Sequence, residues 1–138
     1  IPINKVKVLL SNPKYDRVIP LSRAFPTKVE TMLQISKEIK AVNGRVPGAA
    51  ANKPGTAVYV FQLYQLEDIM VVLNSPGRDL ALSVLDAQGK LIACGDERTV
   101  GADALAFSND YPRQVAIVVV NYDAQPANFG LNVRQILW

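Results

Sequence analysis

A chain of 138 residues, 49% hydrophobic and 20% charged, has room for one domain with a buried core and lies outside the compositions of disordered or fibrous proteins. It contains no histidine, which excludes a Ser–His or Cys–His nucleophile pair within the chain and removes the commonest transition-metal ligand. The net charge of +3 is unevenly placed, with ten Lys and Arg against three acids before residue 54, hence +7 there and −4 on the remainder.

That basic third has no Lys/Arg run longer than two residues, and the chain has no aromatic-studded RNA-binding strand motif, so nucleic acid is not an expected partner. No apolar run approaches the ~18 residues of a membrane-spanning helix. The single Cys94 ends an apolar run and reads as a buried, inert thiol. The chain opens on Ile1 rather than Met, as one processed from a longer precursor would.

In chain order, residues 3–10 set Lys5 and Lys7 against Val6 and Val8, the alternation of a half-buried strand. Pro13, Pro20 and Pro26 each remove a backbone donor and make 11–26 an extended connector. Thr27 and Glu30 form a capping box, and Val29, Met32, Ile35, Ile39 and Val42 recur at helical spacing. With Asn43-Gly44 as its stop, this predicts an amphipathic helix over 28–43. Residues 45–55, with Pro-Gly breaks and no periodicity, read as a linker.

From residue 56 the pattern changes to short apolar runs at 56–64, 69–73, 80–85, 91–94, 104–107, 115–120 and 129–133. Turn residues separate them: Ser75-Pro76-Gly77, Ala87-Gln88-Gly89, Cys94-Gly95-Asp96, Asn109 to Pro112, and Asn121 to Pro126. Strands at this spacing predict an antiparallel β-sandwich or barrel. Met70 with Val72, and Val118 with Val120, place apolar residues on the second face of their strands as well. Such strands need a further layer outside the sandwich, from helix 28–42 or from a neighbouring subunit. The expected organisation is an N-terminal arm, 1–55, and a sandwich, 56–138, in one folded unit.

The order of residues in 56–133 resembles the bacterial pre-peptidase C-terminal domain. The likeness runs through Tyr59-Val60-Phe61-Gln62-Leu63, then Glu67-Asp68-Ile69-Met70-Val71-Val72-Leu73. It continues in Asp79-Leu80-Ala81-Leu82-Ser83-Val84-Leu85-Asp86-Ala87-Gln88-Gly89, in Lys90 to Ala93 before Asp96-Glu97, and closes with Phe129-Gly130-Leu131-Asn132-Val133. The family's Gly-x-Tyr entry to its penultimate strand is replaced here by Pro112-Arg113-Gln114-Val115. The resemblance implies a jelly-roll-like β-sandwich and an extracytoplasmic location, secreted, periplasmic or at the cell surface.

Candidate chemistry is sparse. Asp96, Glu97 and Asp103 are the acids that could converge on calcium, although Arg98 places a cation among them and calcium needs about six oxygens. Asp79 and Asp86 bracket a strand and are expected to cap turns. Gly44, Gly48 and Gly55 lack the strand–loop–helix context of a phosphate cradle. Tyr64, Tyr111 and Tyr122 fall near strand ends and are candidates for a carbohydrate-stacking platform. The apolar termini, through Ile1, Ile3, Val6, Val8, Ile136, Leu137 and Trp138, are candidate contacts with a protein partner or another copy of the chain. The sequence therefore points to a non-catalytic structural or interaction subunit without a cofactor, docking through its arm and termini. A ligand-binding accessory module for carbohydrate or a protein polymer is the alternative.

Overall fold

The computed structural model describes residues 36–64, 67–95 and 102–137. Within them lie eight strands: β1 (Ser36–Val46), β2 (Gly55–Leu63), β3 (Glu67–Asn74), β4 (Leu80–Leu85), β5 (Leu91–Gly95), β6 (Ala102–Asn109), β7 (Arg113–Asn121) and β8 (Ala127–Ile136). They form two four-stranded sheets, ordered β1-β8-β3-β6 and β2-β7-β4-β5, with every ladder antiparallel. This is the strand order of a jelly-roll sandwich. All seven apolar runs of the C-terminal part fall on β2 to β8.

Period-two alternation decides what meets inside. Phe61 and Leu63 of β2, Ile69, Val71 and Leu73 of β3, and Leu80, Leu82 and Val84 of β4 turn into one cluster. Leu105 and Phe107, then Val115, Ile117 and Val119, then Phe129, Leu131 and Val133 complete it from β6, β7 and β8. Each such side chain contributes roughly 1.5–3 kcal/mol on leaving water, so this interior is the principal source of stability.

The helix expected over 28–43 is corrected from Ser36 onward, because Ser36–Val46 is a strand paired along its length with β8; residues 28–35 lie outside the described residues. The physical reason is a partner about ninety residues away. β8 offers an open ladder, and Val42 and Val46 then turn inward at strand spacing. Ile39, a member of the helical stripe, instead sits where the register shifts between Glu38 and Lys40 and is 46% exposed. Gly44 does not cap a helix; it lies mid-strand under the Tyr59 hydroxyl and the Phe129 ring, where a Cβ would collide with both. The linker is shorter than expected, since Arg45 and Val46 belong to β1 and Gly55 opens β2. The expected strand at 3–10 and connector at 11–26 lie outside the described residues.

The turns follow their residues. Pro76-Gly77 sits in a turn closed by the Arg78 N–H donating to the Ser75 carbonyl at 3.0 Å, with Gly77 at φ +74°. The Asp86 carboxylate accepts from the N–H groups of Gln88 and Lys90 at 2.9 and 2.8 Å, holding the β4–β5 turn as a side-chain cap. At the far end of β7, the fully buried Asn121 amide donates to the carbonyls of Pro47 and Gln125 at 3.2 and 2.7 Å. Its oxygen accepts from the Asp123 N–H at 3.0 Å, so one side chain joins two loops.

β7 is buried on both faces from Val115 to Asn121. Its even residues Ala116, Val118 and Val120 form a second apolar cluster with Leu85, on the face of the sheet turned away from the sandwich interior. On the other sheet Met70 is likewise fully buried on its outward side. None of the eight described strands lies over these outer faces. The covered second face expected from the sequence is present, whereas the helix expected to cover it is not among the described elements.

Candidate functional site: an amide-lined groove

The register of three strands builds a groove at one end of the first sheet. Asn43 of β1, Gly130 of β8 and Asn74 of β3 lie in one row, and Arg45 opposite Asn128 forms the next. Pro76 closes the rim, and the hollow encloses about 580 Å³, open to solvent. Its rim is anchored by buried Ser75, whose hydroxyl donates to the Asn128 carbonyl at 2.7 Å.

Gly130 forms the floor. A Cβ there would come no nearer than 3.5 Å to the Asn43 side-chain oxygen, and its φ is not positive. Neither packing nor backbone geometry demands glycine at this position; its consequence is an open floor between two flanking amides. Among the described residues, no side-chain hydrogen bond engages the amides of Asn43, Asn74 or Asn128, or the guanidinium of Arg45. Asn132, two residues further along the same face, differs: it donates to Glu38 and accepts from Arg134 at 3.0 Å. Among the described residues the groove thus presents three amides, each able to donate and accept, and one fixed positive charge, with no carboxylate in its lining.

None of these four polar residues was expected in a site, and Asn43 was read only as part of a helix stop. A signal was there, since asparagine is depleted in strands and Asn128 alternates with the inward Phe129. It became legible only when the β1–β8–β3 register put Asn43, Asn74 and Asn128 on one face.

The expected tyrosine platform is split between the two ends of the sandwich. Tyr64 is 75% exposed just after β2, and Tyr111 is 54% exposed in the turn before β7, with the Arg113 guanidinium 5.0 Å from its ring centre. Leu63 pairs with Arg113, so these two share one end. Tyr122 follows Asn121 at the other end of β7, about 27 Å away at ~3.4 Å per residue, on the side of the groove. Of the terminal candidates, Ile136 is buried, Leu137 is 47% exposed, and Ile1, Ile3, Val6, Val8 and Trp138 lie outside the described residues.

Of the three acids considered for calcium, Asp96 and Glu97 lie outside the described residues. Asp103 is buried, its carboxylate packed against Gly95, and accepts from the Ala104 N–H at 2.9 Å. Among the described residues no three His, Cys, Asp or Glu side chains gather as a metal site would require. Cys94 is buried. No helix among the described residues is long and apolar enough to cross a membrane.

No family model and no curated protein sequence matches the chain. Solved structures do. The pre-peptidase C-terminal domain of a Bacillus anthracis collagenase aligns with a TM-score of 0.55 at 16% identity, over 68% of this chain and 87% of that one. A periplasmic inhibitor of g-type lysozyme from Aeromonas hydrophila, PliG, gives 0.53 at 14% identity, over 72% and 85%. CorA, a surface-associated copper-binding protein of Methylomicrobium album BG8, gives 0.53 at 10% identity, over 67% and 91%. At these identities the likeness is one of fold. The chain is a two-sheet antiparallel sandwich similar in fold to the pre-peptidase C-terminal domain, the resemblance that its strand motifs carry.

Proposed function

We propose that the chain is a non-catalytic, extracytoplasmic interaction module that holds an oxygen-rich ligand, carbohydrate before all others, in the groove around Gly130. The observation that carries this reading is the contrast between committed and uncommitted polar groups. Asp86 holds a turn, Asp123 pairs with Arg78 at 3.3 Å, and Asp68 accepts from Ser108 at 2.7 Å. Among the described residues the groove's amides and guanidinium have no such partners, and a sugar's vicinal hydroxyls, each donor and acceptor at once, are the chemistry that amides match. The location is supported by the fold relatives, which include a periplasmic and a surface-associated protein.

The test is a thermal-shift and NMR titration against neutral and acidic oligosaccharides and gelatin peptides, with Gly130→Val as the control. A saccharide that raises the melting temperature of the wild type but not of the variant supports the reading. Absence of any saccharide effect at millimolar concentration refutes it.

A second reading, a structural subunit of a larger assembly docking through the N-terminal arm and apolar termini, is favoured by Leu137, which ends the described chain 47% exposed beyond β8. Native mass of the intact chain against one lacking the first ten residues tests it. An arm-dependent oligomer supports the subunit role, and identical masses argue against it.

A further inference from the structure

A two-sheet sandwich has four edge strands, and each presents unpaired backbone N–H and C=O groups to whatever can add a strand. Among the described strands the edges are β1 and β6 on one sheet and β2 and β5 on the other. Three of them carry the features that oppose such pairing. β1 has exposed Lys37 and Lys40 on either side of a register shift. β6 turns the carboxyl side chain of Asp103 inward. β5 is only five residues long, and its ladder to β4 is interrupted between Val84 and Leu85.

β2 has none of these. Its nine residues, Gly-Thr-Ala-Val-Tyr-Val-Phe-Gln-Leu, contain no charge and no proline, and its ladder to β7 runs without a shift from Gly55 to Leu63. Val60, at 49% exposure, stands on its outward face, and Tyr64 follows its last residue. An uncharged, uninterrupted, β-branched and aromatic edge is what the other three edges avoid.

We propose that the open edge of β2 is an interface for a second copy of this chain, pairing antiparallel with the partner's β2 about a two-fold axis at Tyr59. The strand is self-complementary in that register. Val58 opposes Val60 and Thr56 opposes Gln62 on the outward face, while Ala57 opposes Phe61 on the inward one. A positive charge lies beside this edge: the Lys40 ammonium is 5.4 Å from the centre of the Phe61 ring. In the paired register the two Phe61 positions are four residues apart along the strands, about 14 Å at ~3.4 Å per residue. Lys40 thus brings one positive charge per copy beside the edge, whose repulsion falls off over the ~8 Å screening length at physiological salt. The two four-stranded sheets become one of eight, and neither copy keeps its unprotected edge.

Sedimentation velocity on the full chain across a concentration series tests this. The wild type is expected to pass from a 15.1 kDa monomer to a species of about twice that mass as concentration rises. Val60→Lys, at a half-exposed position, should leave the melting temperature of the monomer unchanged and weaken dimerisation about tenfold or more. Ala41→Lys, which adds the same charge to the exposed face of the already guarded β1, should leave dimerisation as it was. A wild type that stays monomeric at every concentration overturns the proposal, including the case in which the chain's own residues 1–35 occupy the edge. So does a dimer that withstands Val60→Lys, or one that Ala41→Lys weakens equally. Val60→Lys lies on the other sheet from the Gly130 groove and leaves saccharide titrations of it unchanged, so this proposal and the ligand reading fail separately.

Discussion

Replacing Asn121 with alanine tests how the groove end of the sandwich is held. The side chain is fully buried at the end of β7 and makes three hydrogen bonds, to the Pro47 and Gln125 carbonyls and from the Asp123 N–H. The Gln125 carbonyl keeps a second donor, Arg78 at 2.7 Å, but the Pro47 carbonyl and the Asp123 N–H each lose a partner. At about 1 kcal/mol per net bond, and more for groups left buried and unsatisfied, the expected loss is about 3–4 kcal/mol. For a domain of this size that corresponds to a fall of roughly 10 °C or more in melting temperature.

Urea unfolding should show a lower midpoint with an unchanged slope, since the surface exposed on unfolding hardly changes. Asn121→Asp extends the test. Its carboxylate would face two carbonyls in a buried site, so its folded pKa rises above the ~3.9 of the unfolded chain. The folded state then binds more protons than the unfolded one between those two values, and stability falls as pH rises through that window. Below the unfolded pKa this penalty is absent. A loss under ~1 kcal/mol for Asn121→Ala, or an Asn121→Asp variant whose stability ignores pH, would refute the view that this amide joins the two loops.

Val118→Ala, on the outward face of β7, should cost about 2 kcal/mol in chemical denaturation, close to Val119→Ala on the inward face, because both side chains are fully buried. A loss under ~0.5 kcal/mol at Val118 would mean that the outer face is not covered. Gly44→Ala drives a methyl into the Tyr59 hydroxyl and the Phe129 ring, and about 1–3 kcal/mol should be lost. Gly77→Ala meets nothing within 4 Å but must hold φ at +74°, so about 1 kcal/mol is expected from backbone strain alone. Arg78→Ala removes bonds to the Pro126 and Gln125 carbonyls, both 2.7 Å, and should lower stability by about 1–2 kcal/mol. Asp123→Asn should change it by less than ~0.5 kcal/mol, since that carboxylate is 61% exposed and its ion pair is screened.

From β2 onward the sequence determined the strands, because the period-two pattern and the turn residues are local properties. Leu80, Leu82 and Val84 announce which face is buried, Pro76-Gly77 and Gly89 announce where the chain reverses, and Asp86 announces its own cap. Even the second buried face of β7 was legible in Val118 and Val120, since a strand apolar on both sides must be covered on both. β1 was not legible. Ile39 and Val42 satisfy a helical period as well as they serve a strand, and pairing with β8 decided between them across some ninety residues of chain.

The groove belongs to the same class of fact. Asn43, Asn74 and Asn128 are far apart in sequence and individually ordinary, and only the lateral order β1-β8-β3 sets them around Gly130. The unguarded character of β2 could be read from its composition, but not that it is an edge, because edge or centre is decided by which strands find one another. Local patterns determine what each segment is, whereas register and strand order, set by long-range pairing and burial, determine which segments share a surface.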